Sequence, residues 1–137
     1  MKLIEQLKKA NIIALKNKEK EARAILSVVI NKITTKEKEH NTQLNEEEVL
    51  QIILKVNKEL EEEKAGYLKI NNLERTLNID KQIATIAIYI PRQLSPEDIV
   101  KEIANLDDKS LPNVIKHFKM NFAGRVDLGI VSKIARQ

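Results

Sequence analysis

The chain of 137 residues has no cysteine, three glycines, three prolines and only 3% aromatic residues. The lack of cysteine excludes disulfides, cysteine metal sites and thiol catalysis. Because glycine and proline are scarce and no rhythm of short strands and turns is visible, we predict an all-α fold. With so few aromatic side chains the core must be aliphatic, and stacking of RNA bases on aromatic platforms is not expected.

Long apolar runs are also missing. No segment approaches the roughly 20 apolar residues that a membrane-spanning helix needs. Residues 1–5 already include a lysine and a glutamate, so they do not resemble a signal peptide. These features predict a cytoplasmic protein without a membrane partner.

Charge is distributed unevenly along the chain, whose formal net charge is +4. Residues 1–43 carry ten Lys/Arg and five Asp/Glu, whereas residues 44–78 carry five and eight. Residues 116–137 carry five and one, so two basic ends flank an acidic middle. This pattern permits an anionic partner, and solvated helix faces are the alternative explanation.

Helical periodicity and capping residues predict four helices in the first part of the chain. They cover residues 2–16, about 19–38, 46–70 and about 73–90. Asn45 is expected to cap the third helix, and Asn71 and Asn72 to end it and start the fourth. Pro91 ends the fourth helix, so residues 1–91 form the predicted N-terminal domain.

A smaller domain is predicted at residues 95–137, after a short linker at residues 92–94. Each of its three helices begins at a capping residue: Ser95, Ser110 and Asp127. Gly124 is expected to end the second of them in the left-handed conformation. The predicted fold is therefore all-α, with a helical N-terminal domain of about four helices followed by a small three-helix C-terminal domain.

Residue patterns typical of catalysis are missing. His40 and His117 lie in no metal-ligand spacing, and no serine lies in a Gly-x-Ser-x-Gly turn. There is no glycine-rich phosphate loop, and the acids within residues 59–63 spread around a helix instead of converging. We therefore predict a protein that is not an enzyme and holds no cofactor and no metal.

The remaining candidate is a basic cluster near the C-terminus, made of two cation pairs at i, i+3 spacing and one arginine between them. Its members are Lys116, Lys119, Arg125, Lys133 and Arg136. Cations held in this way suit contacts to phosphates, which position a nucleic-acid backbone without reading its sequence. A solubilising surface on a small domain is the alternative interpretation.

Four groups of residues carry sequence motifs that can be compared with known families. They are residues 3–7 with 14–20, residues 44–50, Tyr89-Ile90-Pro91 with Gln93-Leu94-Ser95, and Gly124-Arg125-Val126-Asp127 with Val131-Ser132. In this order and with nearly ungapped spacing, they resemble the YqeY-like family over nearly the whole chain. The C-terminal part is similar to the tail domain of GatB, one of the proteins that make up the tRNA-dependent amidotransferases.

The resemblance implies a helical N-terminal domain, a three-helix C-terminal domain and a contact with tRNA. Carried over residue by residue, it points to Gly124, Arg125 and Asp127. The glycine and the aspartate have structural explanations as a helix end and a helix cap, which leaves Arg125 for function. Three departures from the family pattern remove positive charge. Residues 59–63 are mostly acidic, Ser27 stands where an arginine is expected, and Asp127-Leu128-Gly129 stands where Asp-Gly-Lys is typical.

The predicted function is a non-catalytic RNA-binding accessory module. It contacts tRNA through a basic C-terminal helical hairpin, which consists of the last two predicted helices and the turn between them. Its predicted contact residues are the five cations of the basic cluster together with Gly124 and Asp127. One alternative is a protein–protein adaptor, working through a groove between helices or through the acidic third helix. A remote alternative is an amidotransferase-associated activity, for which the chain lacks metal and nucleotide residues. The isoleucine-rich helices leave the oligomeric state open.

Overall fold

The computed structural model describes residues 1–137 and contains seven helices and no strand, which confirms the all-α fold. The helices are α1 (Leu3–Lys16), α2 (Lys20–His40), α3 (Glu46–Lys69), α4 (Leu73–Ala87), α5 (Pro96–Ala104), α6 (Leu111–Asn121) and α7 (Leu128–Ala135). The chain divides into two compact units, Met1–Ile90 and Pro91–Gln137. None of the seven helices combines the length and the apolarity needed to cross a lipid bilayer.

Asparagine side chains set the helix starts in the first unit. Asn45 Oδ1 accepts a hydrogen bond from the Glu48 backbone N–H at 2.8 Å, and the Glu48 carboxylate accepts one from the Asn45 N–H at 3.1 Å. This reciprocal pair is a capping box at the start of α3. Asn71 is left-handed with φ of 55°, and Asn72 then caps α4 by accepting from the Arg75 N–H. Both predicted helix starts are confirmed.

The core of the first unit is aliphatic, as the composition predicts. Its buried side chains recur at helical spacing on all four helices: Leu7, Ala14, Ile25, Leu26, Val29, Ile33, Val49, Ile53, Val56, Leu60, Ile79 and Ile86. Burying one large aliphatic side chain contributes about 1.5–3 kcal/mol. This stripe on each helix therefore fixes the packing of α1 to α4.

Two details of α1 and α2 differ from the predictions. The spacing of the apolar residues predicts that Leu15 shares the buried face of α1 with Leu7 and Ala14. Leu15 is instead 51% exposed, because it is turned by about 100° around the helix from Ala14. The second helix continues to His40 instead of ending near Lys38. It stops there because Asn41 adopts a left-handed conformation with φ of 51°.

The end of α4 also differs from the prediction. The helix ends at Ala87, three residues before the predicted Ile90. A residue that precedes proline avoids the helical conformation, and Pro91 has no N–H to continue the ladder. The N–H groups of Tyr89 and Ile90 form turn hydrogen bonds to Ile86 and Ala87 instead.

A second, smaller core holds α5, α6 and α7 together. Ile99, Val114, Phe118 and Val131 are buried there. Ser95 forms a capping box with Asp98 at the start of α5, as its sequence position predicts. The same small unit carries the candidate site.

Ser110 differs from the prediction that its side chain caps α6. It occupies the N-cap position, but its hydroxyl makes no capping hydrogen bond. Its backbone N–H donates instead to Asp108 Oδ1 at 2.9 Å. This hydrogen bond lowers the pKa of Asp108, because it favours the ionised carboxylate.

Candidate nucleic-acid interface

The turn between α6 and α7 is built around Gly124, which is buried and has φ of 77°. Side-chain-bearing residues adopt this conformation at a cost, so glycine is favoured there. Gly124 is left-handed as predicted, but it lies within the turn closed by the Arg125 N–H to the Phe122 carbonyl, at 2.9 Å. Its own carbonyl accepts a 2.7 Å hydrogen bond from Gln93 Nε2, which ties the turn to residues 91–94.

Arg125 is partly buried and is held from several sides. Its Nε donates to the Arg92 carbonyl at 3.1 Å, and its guanidinium carbon lies 5.5 Å from the centre of the Phe122 ring. Its backbone carbonyl accepts from the Leu94 N–H at 2.8 Å. The sequence left Arg125 without a structural explanation, and these contacts supply one.

Asp127 caps the last helix through its side chain. Its Oδ1 accepts a 2.7 Å hydrogen bond from the Gly129 N–H. A Cβ at Gly129 would lie 3.0 Å from the same oxygen, which is tighter than an ordinary contact. The sequence analysis assigned no structural role to Gly129. Its place two residues after a capping aspartate was the available signal.

The other four members of the basic cluster are exposed. Lys116 and Lys119 lie on α6, Lys133 lies on α7, and Arg136 directly follows α7 as its C-cap. The two helices pack against each other, so the structure brings all five cations onto one helical hairpin. None of the five forms an ion pair with a carboxylate.

His117 lies on α6 among these residues and has a structural role. Its Nε2 lies 2.8 Å from Glu102 Oε1, which links α6 to α5. Its ring meets Phe118 edge-on, with centroids 5.5 Å apart. Across the whole chain, no group of three or more histidine or acidic side chains could hold a metal ion.

Comparison with known proteins relates the whole chain to one family. The family model described as "Yqey-like protein" matches residues 4–137. The match includes nearly all of the first compact unit and all of the second. No curated protein matches the chain.

Proposed function

The chain belongs to the YqeY-like family, and we propose that it is a non-catalytic RNA-binding module that contacts tRNA through the basic cluster. The observation that carries the proposal is the charge of the hairpin. Residues 116–137 hold five cations and one acid, and that acid, Asp127, is engaged as the cap of α7. Four of the cations are exposed and free of carboxylate partners.

Exposed, unpaired cations favour phosphate binding, because no existing ion pair must be broken. A nucleic acid that contacts them releases condensed counterions, so its affinity falls steeply with salt. Four phosphate contacts correspond to a fall of roughly 100-fold between about 50 and about 200 mM salt. The proposal therefore has a quantitative signature.

The hairpin also offers no free phenylalanine ring on which a base could stack. Phe118 is fully buried in the core of its unit, and Phe122 is partly buried beneath Arg125. Neither ring is free to stack on an unpaired base, which is the usual basis of sequence-specific RNA binding. We therefore expect binding to the RNA backbone with little dependence on sequence.

Binding of bulk tRNA, measured by fluorescence anisotropy at about 50 and about 200 mM salt, tests the proposal. Two double variants reverse the exposed charges of the cluster and leave Arg125 intact, since that side chain holds the turn. A third is a matched control on α3, with an exposed lysine pair at the same spacing and the same charge change. The three are Lys116→Glu with Lys119→Glu, Lys133→Glu with Arg136→Glu, and Lys55→Glu with Lys58→Glu.

We expect salt-sensitive binding that falls at least about tenfold in each hairpin variant and stays near wild type in the control. Circular dichroism of each variant establishes that the helices remain folded. Equal losses in all three variants would show that net charge alone drives the interaction. Such a result, or the absence of binding at low salt, would refute a tRNA site on the hairpin.

A further inference from the structure

A cleft of about 500 Å³ lies between the end of α1 and the start of α2, within the first compact unit. Its apolar lining includes Ala14, Leu15 and Ala24. The two alanines are short, so they leave depth beside Leu15, which is 51% exposed. Ile12 lies three residues before Leu15, on the same side of α1, and is 56% exposed. The apolar surface therefore continues along the helix.

Positive charge lines the same cleft. Lys18, Lys20 and Arg23 contribute to its lining and are exposed, and none of them forms an ion pair. Glu19 is the only acid in the lining. A partner that brought carboxylates to this rim would meet a complementary charge, which speeds association and fixes orientation.

The backbone at Lys18 adopts a conformation that is unfavourable for lysine. It has φ of 56° and follows the C-cap Asn17, and the Glu19 N–H closes the helix end onto the Ala14 carbonyl at 2.9 Å. Glycine is the usual residue at this left-handed position after a helix. Lys18 makes no side-chain hydrogen bond that would offset the strain of this backbone conformation.

We propose that this cleft binds an acidic amphipathic helix of a partner protein. An apolar side chain of that helix enters beside Leu15 and the two alanines, and acidic side chains on its flanks face Lys20, Arg23 and Lys18. This is the helix-in-groove mode of recognition. RNA fits the cleft less well, because phosphates gain nothing from an aliphatic floor. The proposal is independent of tRNA binding, which concerns the other compact unit.

The test begins with a random 15-residue peptide library displayed on phage and selected on the full-length chain. Enriched peptides are synthesised with a fluorophore, and their affinities are measured by anisotropy. The cleft variant is Lys20→Glu with Arg23→Glu, which introduces acidic residues near the start of α2, where they are favourable. The matched control is Lys9→Glu with Lys36→Glu. Both lysines are exposed and lie on the helices that form the cleft, α1 and α2, but outside the cleft itself.

We expect enriched peptides that combine apolar residues at i, i+3 or i+4 with flanking Asp and Glu. Their affinity falls by about tenfold or more in the cleft variant and is unchanged in the control. Lys18→Gly separates binding from folding. It relieves the strain and raises the melting temperature, but lowers peptide affinity about two- to fivefold through loss of one exposed charge contact.

Three results would overturn the proposal. The selection could enrich no peptide, or peptides without acidic residues. The affinity of enriched peptides could fall equally in the cleft variant and in the control. The cleft variant could lose tRNA binding while peptide binding persists, which would assign the cleft to nucleic acid.

Discussion

Replacing Arg125 by alanine tests the structural role of this side chain. Arg125 joins the turn to the preceding linker, because its Nε donates to the Arg92 carbonyl and its backbone carbonyl accepts from the Leu94 N–H. The alanine variant keeps the backbone groups but removes the guanidinium. We therefore expect the segment at residues 91–94 to open more often while the helices stay formed.

The size of this effect follows from the two side-chain contacts. A net intramolecular hydrogen bond contributes about 1 kcal/mol, and a cation over an aromatic ring at an exposed site contributes about 0.5 kcal/mol. Their loss in Arg125→Ala is therefore worth about 1.5 kcal/mol, which corresponds to roughly a tenfold change in an opening equilibrium.

Amide hydrogen exchange of Leu94, followed by NMR, measures this opening directly. We expect the Leu94 N–H to exchange about tenfold faster in Arg125→Ala. Arg136→Ala is the control, because Arg136 is exposed and makes no side-chain hydrogen bond or ion pair. If the Leu94 amide keeps its wild-type protection in Arg125→Ala, the guanidinium does not hold the linker and the reasoning is refuted.

Four further substitutions test stability. Gly124→Ala lowers the free energy of unfolding by about 1 kcal/mol in urea titrations, because φ is 77° there. Gly66→Ala raises it by up to about 1 kcal/mol, since Gly66 lies inside α3 with open space around it; equal effects at the two glycines would contradict this reasoning. Phe118→Ala removes a fully buried ring and lowers the free energy of unfolding of the second unit by about 3–5 kcal/mol. NMR should show this as loss of the chemical-shift dispersion of the second unit. The hydrogen bond from the Ser95 backbone N–H lowers the pKa of Asp98. The ionised carboxylate therefore contributes stability above about pH 4, and this contribution is lost as the pH falls further. Asp98→Asn should therefore flatten the acid limb of stability against pH, and an unchanged limb would count against this cap.

Most of the fold could be predicted from the sequence because its determinants are local. Asn45 and Ser95 lie three residues from the acids with which they form capping boxes. The aliphatic stripes repeat at the helical period within each helix. The end of α4 was harder to predict, because the helical pattern continues to Ile90 and only the conformational effect of Pro91 stops it early.

The candidate site was less accessible to sequence reasoning. The cations could be found by their spacing, and Asp127 by its position before an apolar helix. The contacts of Arg125 could not be found in this way, because its partner Arg92 is 33 positions away and the contact uses a backbone carbonyl. No residue-type pattern records such a contact.

The motif Gly124-Arg125-Val126-Asp127 and the four exposed cations of the basic cluster therefore have different roles. Gly124, Arg125 and Asp127 shape the turn and start α7, so they decide where Lys133 lies relative to Lys119 on α6. A change in the motif alters the hairpin and its charge arrangement together, whereas reversal of a lysine alters the charge alone. Loss of tRNA binding in a motif variant is consequently ambiguous. Loss in the lysine variants, with Leu94 exchange unchanged, locates the contact on the hairpin surface itself.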